Sequence, residues 1–282
     1  MRICRVAAAF GVWLAMAAAP APPADQRNSL LEKARALALA YSRTLPDFLC
    51  TQTIHRSIRY QQNGVWAPVD TLTVQVTYSQ QKESYKLLLD NGRATDRSYA
   101  AIAGATTVGE FGSTLRWIFD PASQAQFTWN DRPGPHHTSV LAYRVAAGNS
   151  RYELISGTQA TFAGYHGTVD IDPQTARVLR ATMVADLPEG FPIRKSSTTI
   201  VYGDVRLDGQ EYFLPVHAEA DAADVPHGQA AGNTPGTPVC CDWSRPFPVR
   251  PPGGAPALTG YRNQIDFRGY KRFTVDSRLI AQ

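Results

Sequence analysis

From Thr51 onward, apolar and polar positions alternate with a period of two, the pattern of strands that bury one face. The densest run covers 165–215. It opens with Tyr-His-Gly-Thr-Val-Asp-Ile-Asp-Pro, continues through 178–185, crosses Leu-Pro-Glu-Gly-Phe-Pro-Ile at 187–193, and returns through 198–205 and 212–215. Each break carries Asp-Pro, Pro-Glu-Gly or Asp-Gly, residues that set turn backbones. Asp208-Gly209 is the strongest hairpin signal in the chain. These features predict an antiparallel meander. Upstream, 51–60, 70–78 and 84–89 read as three more strands, joined around Asn63-Gly64 and closed by Asp90-Asn91-Gly92. Strands resume at 125–130, 138–146, 152–155 and 161–162. A last strand or bulged pair covers 261–267 and 270–277, with Gly269 at the break.

Two segments have helical spacing instead. Leu30, Leu31, Ala34, Leu37, Ala38, Tyr41 and Leu45 lie on one stripe, Ser29 to Glu32 has the form of a capping box, and Pro46 ends the run. Leu115, Ile118 and Phe119 predict a short second helix before Asp120-Pro121. The fold class that follows is α+β: a large curved antiparallel sheet with an N-terminal amphipathic helix and a short second helix packed on it. One stretch departs from this, the Pro/Gly-rich insertion at 221–256, which holds Cys240, Cys241 and Trp243. A loop of that length is a lid or a surface excursion.

Residues 1–24 read as a signal peptide followed by a Pro/Ala-rich linker. Arg2 and Arg5 precede the apolar run Val6 to Ala18, which is too short to span a bilayer, and Ala15-Met16-Ala17 offers a cleavage site. The expected mature protein, 25–282, is then a single domain, periplasmic or secreted, with no transmembrane span. Losing Arg2 and Arg5 takes the formal charge from +4 to +2, and the remaining basic residues are scattered, which excludes nucleic acid as the main partner. Export makes a disulfide reasonable, and Cys50, Cys240 and Cys241 are the candidates: one of the adjacent pair bonds Cys50 and the other stays free.

No nucleophile elbow, zinc helix, P-loop or dinucleotide glycine pattern is present, so no catalytic residue, metal or cofactor is assigned. His136-His137 reads as a solvated turn. His217, Glu219 and Asp221 share one strand face, a polar row rather than a metal site. Asp170 and Asp172 flank Ile171 ahead of Pro173 and read as turn formers. The aromatics carry more. Most belong to a β core, but a sheet with a helix across its mouth also leaves room for an apolar ligand, and Phe111, Trp117, Phe119, Trp129, Phe162 and Phe191 are the candidate lining.

Leu45-Pro46-Asp47-Phe48-Leu49-Cys50-Thr51-Gln52, Gly109-Glu110-Phe111-Gly112, Asp170-Ile171-Asp172 with Val178-Leu179-Arg180, Phe213-Leu214-Pro215, Arg262 to Phe267 and Tyr270 to Phe273 resemble a family of secreted bacterial proteins of unknown function. More loosely, Gly164 to Glu219 is similar to the lipoprotein carrier superfamily of LolA, LolB and RseB type. That likeness implies a helix-plugged half-barrel with a lipid or lipoprotein partner in the periplasm. The insertion and the Cys pair depart from its pattern. The function expected is therefore non-enzymatic binding of an acyl chain or lipoprotein in the cell envelope. The alternative is a structural module that docks an envelope protein partner and has no small-molecule site. An envelope hydrolase using His217, Glu219 or the Asp170/Asp172 pair ranks third, and predicts a cleft where those groups converge.

Overall fold

The computed structural model describes residues 23–60, 65–102, 104–156, 159–223, 241–245 and 258–273, with the backbone only at a few of them, 241–245 included. Residues 1–22 of the expected signal segment, the Asn63-Gly64 turn, most of the insertion and the end of the last expected strand lie outside these residues.

The chain begins with α1 (Ala24–Thr44), ahead of the expected capping box. Pro23 precedes the helix, and no side chain caps it. Ser29 lies inside the helix, and Glu32 instead pairs with Arg35 at 2.8 Å. Ala34 and Ala38 are buried, and the helix lies close to the second helix, Ser113–Phe119. At its far end Leu45 turns extended before Pro46, as the clash of a proline ring with a preceding helical residue requires.

Then follow β1 (Phe48–Tyr60), β2 (Trp66–Ser79), β3 (Lys82–Asp90), β4 (Arg93–Ala94), β5 (Gly104–Thr107), α2 (Ser113–Phe119), β6 (Gln126–Trp129), β7 (Ser139–Val145), β8 (Glu153–Ser156) and β9 (Gln159–Phe162). The chain closes with β10 (Gly164–Ile171), β11 (Val178–Asp186), β12 (Lys195–Leu207), β13 (Gln210–Ala223), β14 (Cys241–Arg245) and β15 (Leu258–Arg272). Eleven strands form one open, curved antiparallel sheet in the order β4-β3-β2-β1-β15-β13-β12-β11-β10-β7-β6. The Asp-Gly and Asn-Gly turns sit where expected. Asp208 and Gly209 have φ of 48° and 84°, Asn91 and Gly92 of 50° and 76°, the left-handed pairs that match the twist of a tight hairpin.

Three features differ from the sequence expectation. The two pieces expected after 260 are one long strand, bulged near Gly269, and this strand joins the N-terminal strands to the meander by pairing with both β1 and β13. β13 runs on through Ala223, into the start of the expected insertion. The insertion also contributes β14 to a second sheet of order β5-β14-β8-β9, antiparallel to β5 and parallel to β8.

Register explains the core. Leu72, Ile54, Ile265, Ala218, Ile200, Ala181, Val169 and Leu141 form one continuous row across the large sheet, each at most 1% exposed. Because side chains alternate between faces, this row places every second residue of those strands on the same buried side. The helices and the small sheet cover that side. Arg35 stacks over Phe127 of β6, Tyr41 meets Tyr202 edge-on at 6.0 Å, and Asn263 on β15 reaches the Ala105 carbonyl of β5 at 3.1 Å.

Candidate functional site

The row beside the apolar one runs Arg56, Asn263, Ala220, Thr198, Met183. Arg56 is neutralised by Asp70 at 2.6 Å. Asn263 spends its amide nitrogen on Ala105, which turns its Oδ1 away from that carbonyl, and among the described residues this oxygen has no partner. The Thr198 hydroxyl has none either. Both residues are at least nine-tenths buried, and Ala220 lies between them. Ala218 and Ala222 extend the small floor along β13. In side-chain length the centre of the buried face is thus a trough: a run of alanines flanked by two polar atoms that have no partner among the described residues. Leaving such an atom dry costs on the order of 1–3 kcal/mol, so a fold keeps two of them side by side only at a cost in stability. Gln52, Tyr41 and Tyr202 carry further buried polar atoms without partners.

The six aromatic candidates are not gathered around this trough. Phe111 is core, packed against Phe48, Phe267 and Tyr270 with centroids 5.2, 5.4 and 6.2 Å away. Phe119 stacks on Phe127 at 5.7 Å. Trp117 tilts against Tyr152, and its carbonyl accepts from the Tyr165 hydroxyl at 2.8 Å. The void beside it holds about 10 Å³, one water's worth. Trp129 is half-buried on the edge strand β6, and Phe191 is buried in the 187–193 crossing. Phe162 is 57% exposed on β9, at the edge of the small sheet.

The disulfide expectation is corrected. Cys50 is a buried free thiol, and burial together with the nearby Glu110 and Glu83 carboxylates pushes its pKa up. Cys240 and the side chain of Cys241 lie outside the described residues. What holds this part of the insertion is backbone pairing, Cys241 standing opposite Thr107 and Leu154, and not a bridge to Cys50.

The polar candidates separate in space. Asp172 is a turn former: it accepts from the Gln174 N–H and the Thr175 hydroxyl at 2.9 and 2.6 Å, and both hold its pKa low. Asp170 is not. It faces an open groove on the outer side of the sheet together with His136, His217 and Glu219. The His217, Glu219, Asp221 row is taken up by β15: His217 meets Asp266 at 3.0 Å, Glu219 meets Gln264 at 3.1 Å, and Asp221 meets Arg262 at 2.6 Å. Among the described residues no group of three or more His, Cys, Asp or Glu is arranged to hold a metal ion.

One cluster was missed from the sequence. Glu83 accepts from the backbone N–H groups of Gly109 and Phe111 at 3.1 and 3.2 Å, and the Tyr85 hydroxyl lies between Glu83 and Glu110. Gly109 and Gly112 have φ of 95° and 111°, so the Gly-Glu-Phe-Gly motif makes the turn that aims these amides at Glu83. Burial raises both carboxyl pKa values, and Glu83 pushes that of Glu110 further, to about 7.

No family model and no curated protein matches the chain. Among solved structures, a LolA superfamily protein from Nitrosomonas europaea is similar at 9% identity, over 92% of this chain and 96% of that one, with a TM-score of 0.39. At that level of likeness the function has to be read from this chain's own residues. Among those described, no helix is long and apolar enough to cross a membrane.

Proposed function

We propose that the protein is a non-enzymatic binding protein of the cell envelope, and that its ligand is the acyl chain of a lipid or lipoprotein, lying along Ala218, Ala220 and Ala222. The alanine trough with its two unpartnered polar walls carries this reading. Asn263 and Thr198 stand on strands two apart, roughly 9–10 Å between backbones. An amide linkage spans such a gap: its N–H donates to Asn263 Oδ1, its carbonyl accepts from the Thr198 hydroxyl, and each bond is about 2.9 Å. The chain's methylenes then replace contacts that alanine is too short to make. The envelope location rests on the expected signal in residues 1–24.

The test is native mass spectrometry of the mature protein purified from a periplasm, followed by organic extraction. An acyl-lipid mass that is released on denaturation, and is lost in Thr198→Val, is expected. Valine keeps the shape of threonine without its hydroxyl, so the variant folds. A bare protein mass together with no uptake of added N-acyl or O-acyl lipid would sink the reading.

A further inference from the structure

The outer face of the sheet carries a second surface, independent of the trough. One register row crosses it: Asp170 on β10, Arg180 on β11, Val201 on β12, His217 on β13 and Asp266 on β15. The turn at 133–138 overhangs the Asp170 end. With Leu179, Thr199 and Glu219 it bounds an open groove of about 530 Å³, within the range of small-molecule sites.

Several of the polar groups there are already used. His217 is bonded to Asp266 at 3.0 Å, Glu219 lies 3.5 Å from Arg262, and the Thr138 hydroxyl donates to the Pro135 carbonyl at 3.0 Å. Among the described residues Asp170, Arg180, His136 and Thr199 make no side-chain hydrogen bond or ion pair, and Asp170 and Arg180 are the carboxylate and the guanidinium among them. Asp170 is 8% exposed, yet among the described residues its carboxylate makes no hydrogen bond and no ion pair. Arg180, its partner across the strands, is exposed and makes no ion pair either, acting on Asp170 only through space. Residues directly opposite have Cβ atoms roughly 5 Å apart, so the two charges are neighbours that do not close on each other. Length explains it. The short aspartate stays low beneath the turn, and the long arginine reaches outward to water. Gly134 holds the turn down: a Cβ there would come within 2.5 Å of Thr138 Oγ1 and 2.7 Å of Val140 Cγ2, and 3.7 Å from Asp170 Oδ1.

A deep acid beside an outward base suits a ligand with the opposite order of charges. We propose that this groove binds a small zwitterion of the ethanolamine-phosphate kind, with its primary ammonium inserted against Asp170 and its phosphate held by Arg180 at the mouth. Leu179, Val201 and Pro135 give the two-carbon link an apolar bed. The ammonium supplies the hydrogen bonds that a buried carboxylate needs, and a guanidinium fits phosphate oxygens with paired donors. A trimethylated ammonium has no N–H to give and is too wide to descend.

The experiment is calorimetric titration of the full mature chain with O-phosphoethanolamine, with phosphocholine as the matched control. O-phosphoethanolamine is expected to bind and phosphocholine to fail. Asp170→Asn and Arg180→Gln should each weaken binding at least tenfold, in proteins whose circular dichroism and melting show them folded. Flotation with phosphatidylethanolamine vesicles then separates the sources. Binding to vesicles assigns a lipid headgroup, and binding of the free compound alone assigns a soluble zwitterion. No binding of O-phosphoethanolamine, equal binding of phosphocholine, or unchanged affinity in folded Asp170→Asn overturns the proposal.

Discussion

Two places in this molecule bury carboxylates that form no ion pair among the described residues, and they treat them in opposite ways. On β3, Glu83 receives two backbone N–H groups and the Tyr85 hydroxyl, with Glu110 on the other side of the same phenol. On β10, Asp170 is 8% exposed and, among the described residues, receives no hydrogen bond. The first arrangement is closed: each carboxyl has a hydrogen-bond partner supplied by the fold, so there is nothing left for a ligand to do. The second is open. Burial alone therefore does not mark a binding group; burial without a partner does. The same criterion selects Asn263 and Thr198 on the other face and passes over Arg56, which Asp70 satisfies.

The sharpest way to break this comparison is to remove the closed acid. Glu83→Ala takes the acceptor from Phe111 N–H outright, while Gly109 N–H keeps the Tyr85 hydroxyl at 3.0 Å and Tyr85 keeps Glu110. A donor left dry costs about 1–3 kcal/mol, so the variant should lose an amount in that range in urea unfolding. A loss below 1 kcal/mol would mean that water replaces the carboxylate and that the site is not closed.

The next effect is a pH dependence. A phenol has one proton, so Tyr85 cannot donate to both carboxylates at once; its contact with Glu110 is made fully when Glu110 carries a proton of its own. Because the folded pKa of about 7 lies above the free value of 4.5, the folded state binds this proton more tightly. The stabilisation is then complete below pH 4.5, falls as pH rises, and is gone above 7. Its full size is on the order of 3 kcal/mol. Between pH 5 and pH 8 the wild type should lose more stability than Glu110→Gln, by most of that amount. Glu83 and Asp170, whose pKa values burial also raises, contribute in the same direction in both proteins.

How far these sites were legible in the sequence follows from their spacing. The antiparallel sheet was readable because alternation and Asp-Gly or Asn-Gly turns are local signals, and β10 through β13 announce themselves within fifty residues or so. β14 was not: five residues in a Pro/Gly-rich stretch carry no period, and their partners β5 and β8 lie far off in the chain. Likewise the union of β1 with β15 joins the two ends of the fold. Glu83, just ahead of the expected strand 84–89, looked like any charged surface residue, since its donors come from a turn more than twenty residues away. Asp170 and Asp172 look alike in sequence, two residues apart on one strand face. A register shift next to Asp170 and the overhanging turn make one of them a groove acid and the other a cap.

Asp170→Asn turns the comparison around. Replacing an unpartnered buried charge with a neutral amide should raise stability at pH 7 by about 1 kcal/mol, where Glu83→Ala lowers it. Thermal melting checks the sign. A lower melting temperature would show that Asp170 has a structural partner after all, and would return it to the closed class.

The smallest effect isolates Arg180. Its side chain is exposed and makes no ion pair, so Arg180→Gln removes no contact that folding depends on. What it does remove is the cation that holds down the pKa of Asp170. With that opposition gone, burial raises the Asp170 pKa further, and the extra penalty is felt only at pH values where the carboxylate is still charged. Screening by water keeps it small: the change at pH 7 should stay within about 0.5 kcal/mol, the range of ordinary surface substitutions. At a pH low enough to protonate Asp170 in both proteins even this difference should vanish. Urea midpoints compared at the two pH values measure it directly. A loss above 1 kcal/mol at neutral pH would mean that Arg180 and Asp170 form a working ion pair in solution. The open site would then be a closed one, built from a pair of side chains instead of a side chain and a turn.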